Sequence, residues 1–254
     1  MRPEDLPEIR HLHLFRNMTQ ANFEALMASS YAQSFPQGLE MIRQGDPADF
    51  LHIVLEGSVE LFARWSDREC TMGVVRPVAT FILAACIRDA PYLMSARTLE
   101  RTRIILIPSS DVRGMFRRDT EFAVSVINEL ASCYRSVVRN AKTLKLRNSR
   151  QRVASYLLRQ SMLAGGVASY ILPVEKRLLA SYLGMTAENL SRTLRALEAN
   201  GLKMDGVRVI ITDRAKLTAL AQPDALIDGP DAIANENGSG LPVASLRHRR
   251  HTGL

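Results

Sequence analysis

The hydrophobic period of the chain changes twice before its midpoint. Over residues 9 to 30 apolar positions recur at helical spacing, and Leu14, Phe15, Phe23, Leu26 and Met27 can pack on a core. From about Tyr31 the pattern becomes strand-like: SYAQSF, LEMIRQ, FLHIVLEG, SVELFARW, CTMGVV and RIILIP are separated by turn residues such as Pro36-Gln37-Gly38, Gly45-Asp46-Pro47 and Gly57-Ser58. Many short strands at this spacing predict a sandwich or jelly roll. From Ser109 the period is helical again, and the pattern predicts one long helix over 111–147. Along it Val126, Leu130, Cys133, Val137, Asn140 and Leu144 alternate steps of four and three, as in a coiled-coil seam. Such a stripe needs a partner. One candidate is the same helix of a second copy, with Asn140 setting the register; the other is the chain's own β-domain.

A second helical region follows. RNSRQRVASYLL, from Arg147, reads as a hinge and a first helix. The next helix starts near Glu175 and packs through Leu179 and Leu183, and Gly184 suits the tight turn after it. Thr186 is placed to cap a further helix, whose Leu190, Leu194 and Leu197 form the apolar stripe. Glu188, Ser191, Arg192 and Arg195 share its opposite face, with Asn189 beside them. Those donors and acceptors suit base edges in a major groove, although an amphipathic pair with a merely solvated face has the same spacing. KMDGVRVIIT then places Asp205-Gly206 in a hairpin turn, a wing that brings Lys203 toward a phosphate backbone.

Charge favours the nucleic-acid reading. The chain carries a formal +7, and residues 147–216 hold twelve Lys or Arg against five Asp or Glu, so that segment accounts for the excess. With 254 residues and 46% hydrophobic content the chain can bury two modest cores. The expected organisation is an α+β chain: a β-roll sensor domain over 1–110, a dimerisation helix over 111–147 and a winged helix-turn-helix over 148–220. A Pro-, Gly-, Asn- and Asp-rich tail over 221–254 is expected to be disordered, with a basic cluster at Arg247, Arg249 and Arg250. No apolar run is long enough to span a membrane, and MRPEDLPEIR lacks the apolar core of a secretory signal, so a cytoplasmic location is expected. Cys70, Cys86 and Cys133 are dispersed and form no C-x-x-C pair, which argues for reduced thiols. The chain has no P-loop, G-x-G-x-x-G, H-E-x-x-H or G-x-S-x-G, and no catalytic residues are expected.

From about residue 12 to 218 this order of parts resembles the Crp/Fnr family of bacterial transcription regulators. RQGDPADFLHIVLEGSVELF looks like the family's strand-turn-strand signature around two roll glycines, here Gly45 and Gly57, and ENLSR looks like the E-x-x-S-R recognition motif of its Fnr branch. The resemblance implies a homodimer on double-stranded DNA with two-fold symmetry, RNA polymerase as a partner, and an effector acting through the roll.

The departures bear on the effector. Cyclic-nucleotide-binding members carry Gly-Glu after Phe-Ile and Arg-Ser about eleven residues later; here Phe81-Ile82 precede Leu83-Ala84, and Met94-Ser95 stand at the second place. Without the Arg a phosphate loses its bidentate partner, so cAMP is disfavoured unless Arg88 or Arg97 substitutes. No cysteine precedes Cys70, which disfavours the iron–sulfur cluster of oxygen-sensing relatives. The remaining readings are haem on His11 or His13, oxidation of a cysteine, and a small apolar or aromatic effector beside Phe81, Leu83 and Leu93. A roll that signals through protein contacts alone is the alternative from another class.

Overall fold

The computed structural model describes residues 4–229 as two compact units that meet after Val138. The first opens with α1 (Asp5–Arg10) and α2 (Gln20–Ala28). Six strands follow: β1 (Tyr31–Phe35), β2 (Glu40–Ile42), β3 (Phe50–Glu56), β4 (Val59–Trp65), β5 (Arg68–Val75) and β6 (Ala79–Phe81). After α3 (Leu83–Arg88) come β7 (Ser95–Thr98), β8 (Thr102–Pro108), α4 (Ser109–Met115) and α5 (Thr120–Leu146). The strands form two antiparallel four-stranded sheets in the orders β1-β8-β3-β6 and β2-β7-β4-β5. The six strand-like runs in the sequence are all strands; β6, β7 and α3 are too short to show in its periodicity.

The central strands β3 and β8 are buried on both faces, which explains the unbroken apolar runs FLHIVL and RIILI. Val54, Ile104 and Leu106 point between the sheets toward Val59, Phe81 and Ala96. Leu51, Ile53, Ile105 and Ile107 point the other way, onto Phe15 of the α1–α2 connection and Phe23, Leu26, Val112 and Phe122 of the helices. Gly57 closes the β3–β4 turn at φ +82°, where a Cβ would lie 2.6 Å from the Arg101 carbonyl oxygen. Only glycine fits that position.

The long helix is interrupted. Between α4 and α5 the chain breaks at residues 116–119, and Asp119 accepts from the N–H of Phe122 at 2.9 Å, capping α5. The same carboxylate accepts from the Thr19 N–H and from Asn22 Nδ2, both at 3.0 Å. Burial opposes its ionisation, but these donors outweigh burial and hold the carboxyl below its ordinary value. The break is hidden in the sequence because Phe116 keeps the apolar spacing. It also assigns the first turns of α5 to the first unit: Phe122, Ser125 and Val126 are buried, Val126 to 1% exposure. Val126 therefore belongs to its own core and cannot serve in a seam between copies.

The second unit contains α6 (Ser149–Leu163), β9 (Ser169–Ile171), α7 (Lys176–Tyr182) and α8 (Ala187–Ala196). A single 3-10 turn leads to β10 (Leu202–Asp205) and β11 (Arg208–Ile211), then α9 (Arg214–Ala221) and α10 (Ala225–Asp228). The hairpin gains β9 as a third strand, in the order β10-β11-β9. Asn148 and Gln151 form a capping box at the start of α6, each side chain reaching the other's backbone N–H at 3.0 Å. Residues 222–229 depart from the disordered tail expected there, since Asp224 caps α10 at Ala225–Asp228. Arg247, Arg249 and Arg250 lie outside the described residues.

Candidate nucleic-acid interface and effector pocket

α7, the turn at Gly184 and α8 form the helix-turn-helix. Gly184 sits at φ +65°, a left-handed backbone that favours glycine, and a Cβ there would come 3.1 Å from Leu144 Cδ2, which would have to give way. The Thr186 hydroxyl accepts from the Asn189 N–H at 3.2 Å and caps α8. Leu190, Leu194 and Leu197 are buried, with Thr193 beside them. The face away from that stripe carries Glu188, Ser191, Arg192 and Arg195, all exposed, and Asn189 is half-buried at its edge.

The chemistry of this face is partly set in advance. Glu188 lies in the first turn of α8, where its own backbone N–H and the Thr186 hydroxyl, with Arg192 nearby, hold its carboxyl below the ordinary carboxylate value. It is an acceptor at neutral pH. The Ser191 hydroxyl donates to the Ala187 carbonyl at 2.9 Å, which leaves its lone pairs to accept. On the wing, Lys203 and Arg208 are exposed on adjacent strands, at either end of the hairpin that turns at Asp205-Gly206.

In the roll the expected pocket residues separate. Phe81 is buried between the sheets, but Leu83 packs on the opposite side with Leu51, Ile53 and Cys86. Leu93 is 83% exposed and lines nothing. Ala84 is exposed and Met94 half-buried, while Ser95 is buried with its hydroxyl accepting from the Gln44 N–H at 2.9 Å. Phe81, Leu83, Ala84, Met94 and Ser95 therefore do not converge on one cavity. Neither candidate replacement cation is available to the interior. Arg88 is exposed at the end of α3. Arg97 faces away from its buried neighbour Ala96, lies 2.7 Å from the buried Glu60 and 2.5 Å from Glu69, and stacks 4.4 Å over Phe62.

What occupies the interior near Phe81 is an aromatic group that periodicity alone did not reveal. His52 pairs with Phe81 across β3 and β6, their ring centroids 5.0 Å apart, and Tyr92 stands 6.4 Å from the same imidazole. Burial pushes His52 down to about 3, with a hydrogen bond to the Phe50 backbone acting against it. Its Nδ1 is buried without a hydrogen-bond partner. Burial likewise pushes the Tyr92 hydroxyl up to about 12. The one sequence signal for His52 is its place in the inward-facing set Phe50, His52, Val54 of an alternating strand.

The other sensing candidates are dispersed. His11 and His13 are exposed after α1; Nδ1 of His11 donates to the Pro7 carbonyl at 2.5 Å, and His13 lies near Glu129, whose carboxyl burial raises. Leu14 and Phe15, next in the sequence, are turned into the core. Among the described residues no group of three or more His, Cys, Asp or Glu is placed to hold a metal ion. Cys70 is exposed, Cys86 buried and Cys133 half-buried.

On α5 the exposed apolar positions run out of phase with the expected seam. Tyr134 and Val137 are 70% and 66% exposed, Ile127 and Leu144 are also exposed, and Leu130 is half-buried against the first unit's core. With Ala141, these positions make the steps 127, 130, 134, 137, 141, 144, again threes and fours. Leu130, Val137 and Leu144 are common to both phases, whereas Cys133 and Asn140 are half-buried off this stripe.

Comparison with known proteins matches each unit. A cyclic nucleotide-binding domain model matches residues 32–119, and a Crp-like helix-turn-helix domain model matches residues 151–220. The chain belongs to the Crp/Fnr family. It is 26% identical to the transcriptional activator protein FnrL of Cereibacter sphaeroides, over 92% of this chain and 93% of that protein. It is 23% identical to a CRP-like cAMP-activated global transcriptional regulator of Mycobacterium tuberculosis, over 82% of this chain and 96% of that one. A solved structure of a putative cAMP-binding regulatory protein from Silicibacter pomeroyi is 28% identical, with a TM-score of 0.55 over 87% of this chain and 100% of that one. This Crp/Fnr member is thus a transcription regulator with a helix-turn-helix DNA-binding domain. No helix among the described residues is long and apolar enough to cross a membrane.

Proposed function

We propose that the protein is a homodimeric, sequence-specific regulator whose two copies of α8 read an inverted repeat of TTGA-like half-sites, and that its roll answers to a signal other than cAMP. The observation that carries the first part is the exposed set Glu188, Ser191 and Arg192 on a capped helix whose other face is anchored by three buried leucines. By resemblance to the Fnr branch, Arg192 pairs with guanine through O6 and N7, Glu188 accepts from a cytosine amine on the opposite strand, and Ser191 discriminates the neighbouring T·A pair. Arg195 and the wing residue Lys203 approach phosphates. The exposed α5 stripe from Ile127 to Leu144 supports a second copy of the same helix as partner, since a narrow apolar seam on a long helix is stable when paired.

The departure from cAMP rests on the roll. The residues at the nucleotide-recognition positions are Leu83, Ala84 and Met94, none a cation or a carboxylate, and Arg97 is already paired with Glu60 and Glu69. A desolvated phosphate there has no charged partner.

The test is fluorescence anisotropy on a duplex carrying TTGA and its inverted complement about one helical turn apart. Arg192→Ala is expected to cost about 1–3 kcal/mol per half-site and to relax preference at the guanine, whereas Lys203→Ala weakens all sequences alike. Equal losses for both variants on specific and random DNA would refute the assignment.

A further inference from the structure

The α5–α6 joint is two residues long: α5 ends at Leu146 and α6 begins at Ser149. Arg147 in this joint is buried, and its guanidinium faces a segment that lies beyond the matched helix-turn-helix domain, which ends at residue 220. Arg147 Nη1 donates to Asp228 Oδ1 at 2.9 Å and Nη2 donates to Asp228 Oδ2, a bidentate pair. Gln222 adds two contacts: its carbonyl accepts from Arg147 Nη2 at 3.5 Å, and its side-chain oxygen accepts from Gln151 Nε2 at 3.1 Å.

The segment is itself folded for this task. Asp224 caps α10, accepting from the N–H groups of Leu226 at 2.9 Å and Ile227 at 3.1 Å, and Ile227 is buried. Asp228 also accepts from the Asp224 N–H at 2.9 Å, so the carboxylate that grips Arg147 closes the turn as well. From the other side Arg152 donates to the Leu144 carbonyl in the last turn of α5 at 3.3 Å and to the Arg147 carbonyl in the joint at 3.0 Å. The joint is therefore held at both ends by side chains, one of them supplied by the segment after α9.

We infer that residues 222–229 are a strap that sets the α5–α6 joint through the Arg147–Asp228 pair and thereby governs how well the two recognition helices of a dimer fit a symmetric operator. Among the described residues the backbone passes from the first unit to the second only within α5, so a signal carried along that helix into α6 passes through this joint. A joint with a fixed geometry presents two half-sites at a fixed spacing, and a loose one must be ordered on binding. The pair is the weak point of the device, because Arg147 becomes a buried, unpaired cation once Asp228 leaves.

The role on DNA rests on the reading proposed above, so the experiment has one arm that does not need it. In the full-length protein, Asp228→Asn and a truncation after Ala221 are compared with a truncation after Gly229, which keeps the strap. Amide hydrogen exchange over residues 148–152 is expected to quicken about tenfold or more in the first two and to stay unchanged in the third. Affinity for the symmetric TTGA duplex is expected to fall about tenfold in the first two, with binding to a duplex carrying one half-site within about twofold of the intact protein. Unchanged exchange in Asp228→Asn overturns the strap, and so does equal loss on both duplexes. A loosened joint with unaltered operator affinity overturns its role on DNA. Failure of the intact protein to prefer the TTGA duplex defeats the operator reading and leaves the exchange result standing. If the Ala221 truncation does not fold, Asp228→Asn, which keeps the side chain's shape, decides the matter.

Discussion

His52 fills a core position with a group that has to stay neutral there. Only 4% of it is exposed, and its Nδ1 has no partner. In the unfolded chain the imidazole returns to its ordinary value of 6.5, whereas in the roll it is held near 3. Between those values the unfolded state takes up a proton that the folded state refuses, so stability falls as the pH drops through this range, by about 1.4 kcal/mol per pH unit. His52→Phe is expected to keep the contacts with Phe81 and Tyr92 and to flatten the dependence, so that the urea midpoints of variant and parent diverge at pH 5 and converge at pH 8. Parallel profiles would place the buried proton-sensitive group elsewhere. At this scale the exposed polar face of α8 could be read from the sequence, because Glu188, Ser191 and Arg192 share one helical face and the leucines between them mark the other. His52 could not, since a single histidine in FLHIVLEG has no patterned companion. Its neighbour Tyr92 comes from a loop 40 residues later.

Among the elements, α5 shows how far periodicity reaches and where it stops. A seam of threes and fours is present in two phases that share Leu130, Val137 and Leu144, and hydrophobicity along the sequence does not choose between them. The two phases differ in what one copy leaves exposed: the first unit takes Phe122 and Val126 into its core, while Ile127 and Tyr134 stay exposed. Charge placed at Leu130 would disturb that core as well as any partner helix. Val137→Glu is the cleaner probe, because that side chain is exposed in one copy. It is expected to yield a monomer in sedimentation at micromolar concentration without lowering the thermal midpoint of either unit by more than a few degrees, since an unpaired charge is costly only where it becomes buried. A dimer that survives the substitution removes this stripe from the interface. The break before α5 is illegible for a related reason. Asp119 caps α5 through the Phe122 N–H, but it is held there by Thr19 and Asn22, about a hundred residues away, which a local reading of RRDTEF does not show.

At the level of the whole molecule, the two units have separate cores and unequal charge, with the basic excess confined to residues 147–216. The order of roll, long helix and winged helix was legible because each part has its own period. The effector was not, because a ligand site depends on which of several inward residues converge. Here Leu83 and Phe81 lie in different cores despite being two residues apart. Calorimetric titration with cAMP or cGMP is expected to show no saturable binding below the millimolar range, and a micromolar dissociation constant with matching enhancement of operator binding would require a cation that reaches the interior. The sheet order has a further consequence for the protein's birth. Strand β1 pairs with β8, Tyr31 opposite Leu106, and β8 also pairs with β3. During synthesis β1, whose only strand neighbour is β8, must therefore wait unpaired for the last strand of the roll to leave the ribosome, because long-range pairing is closed only when its distant half arrives. In the winged unit the wait is shorter, since β10 and β11 are adjacent in the chain and only β9 waits for a later strand, with Ile171 opposite Arg208.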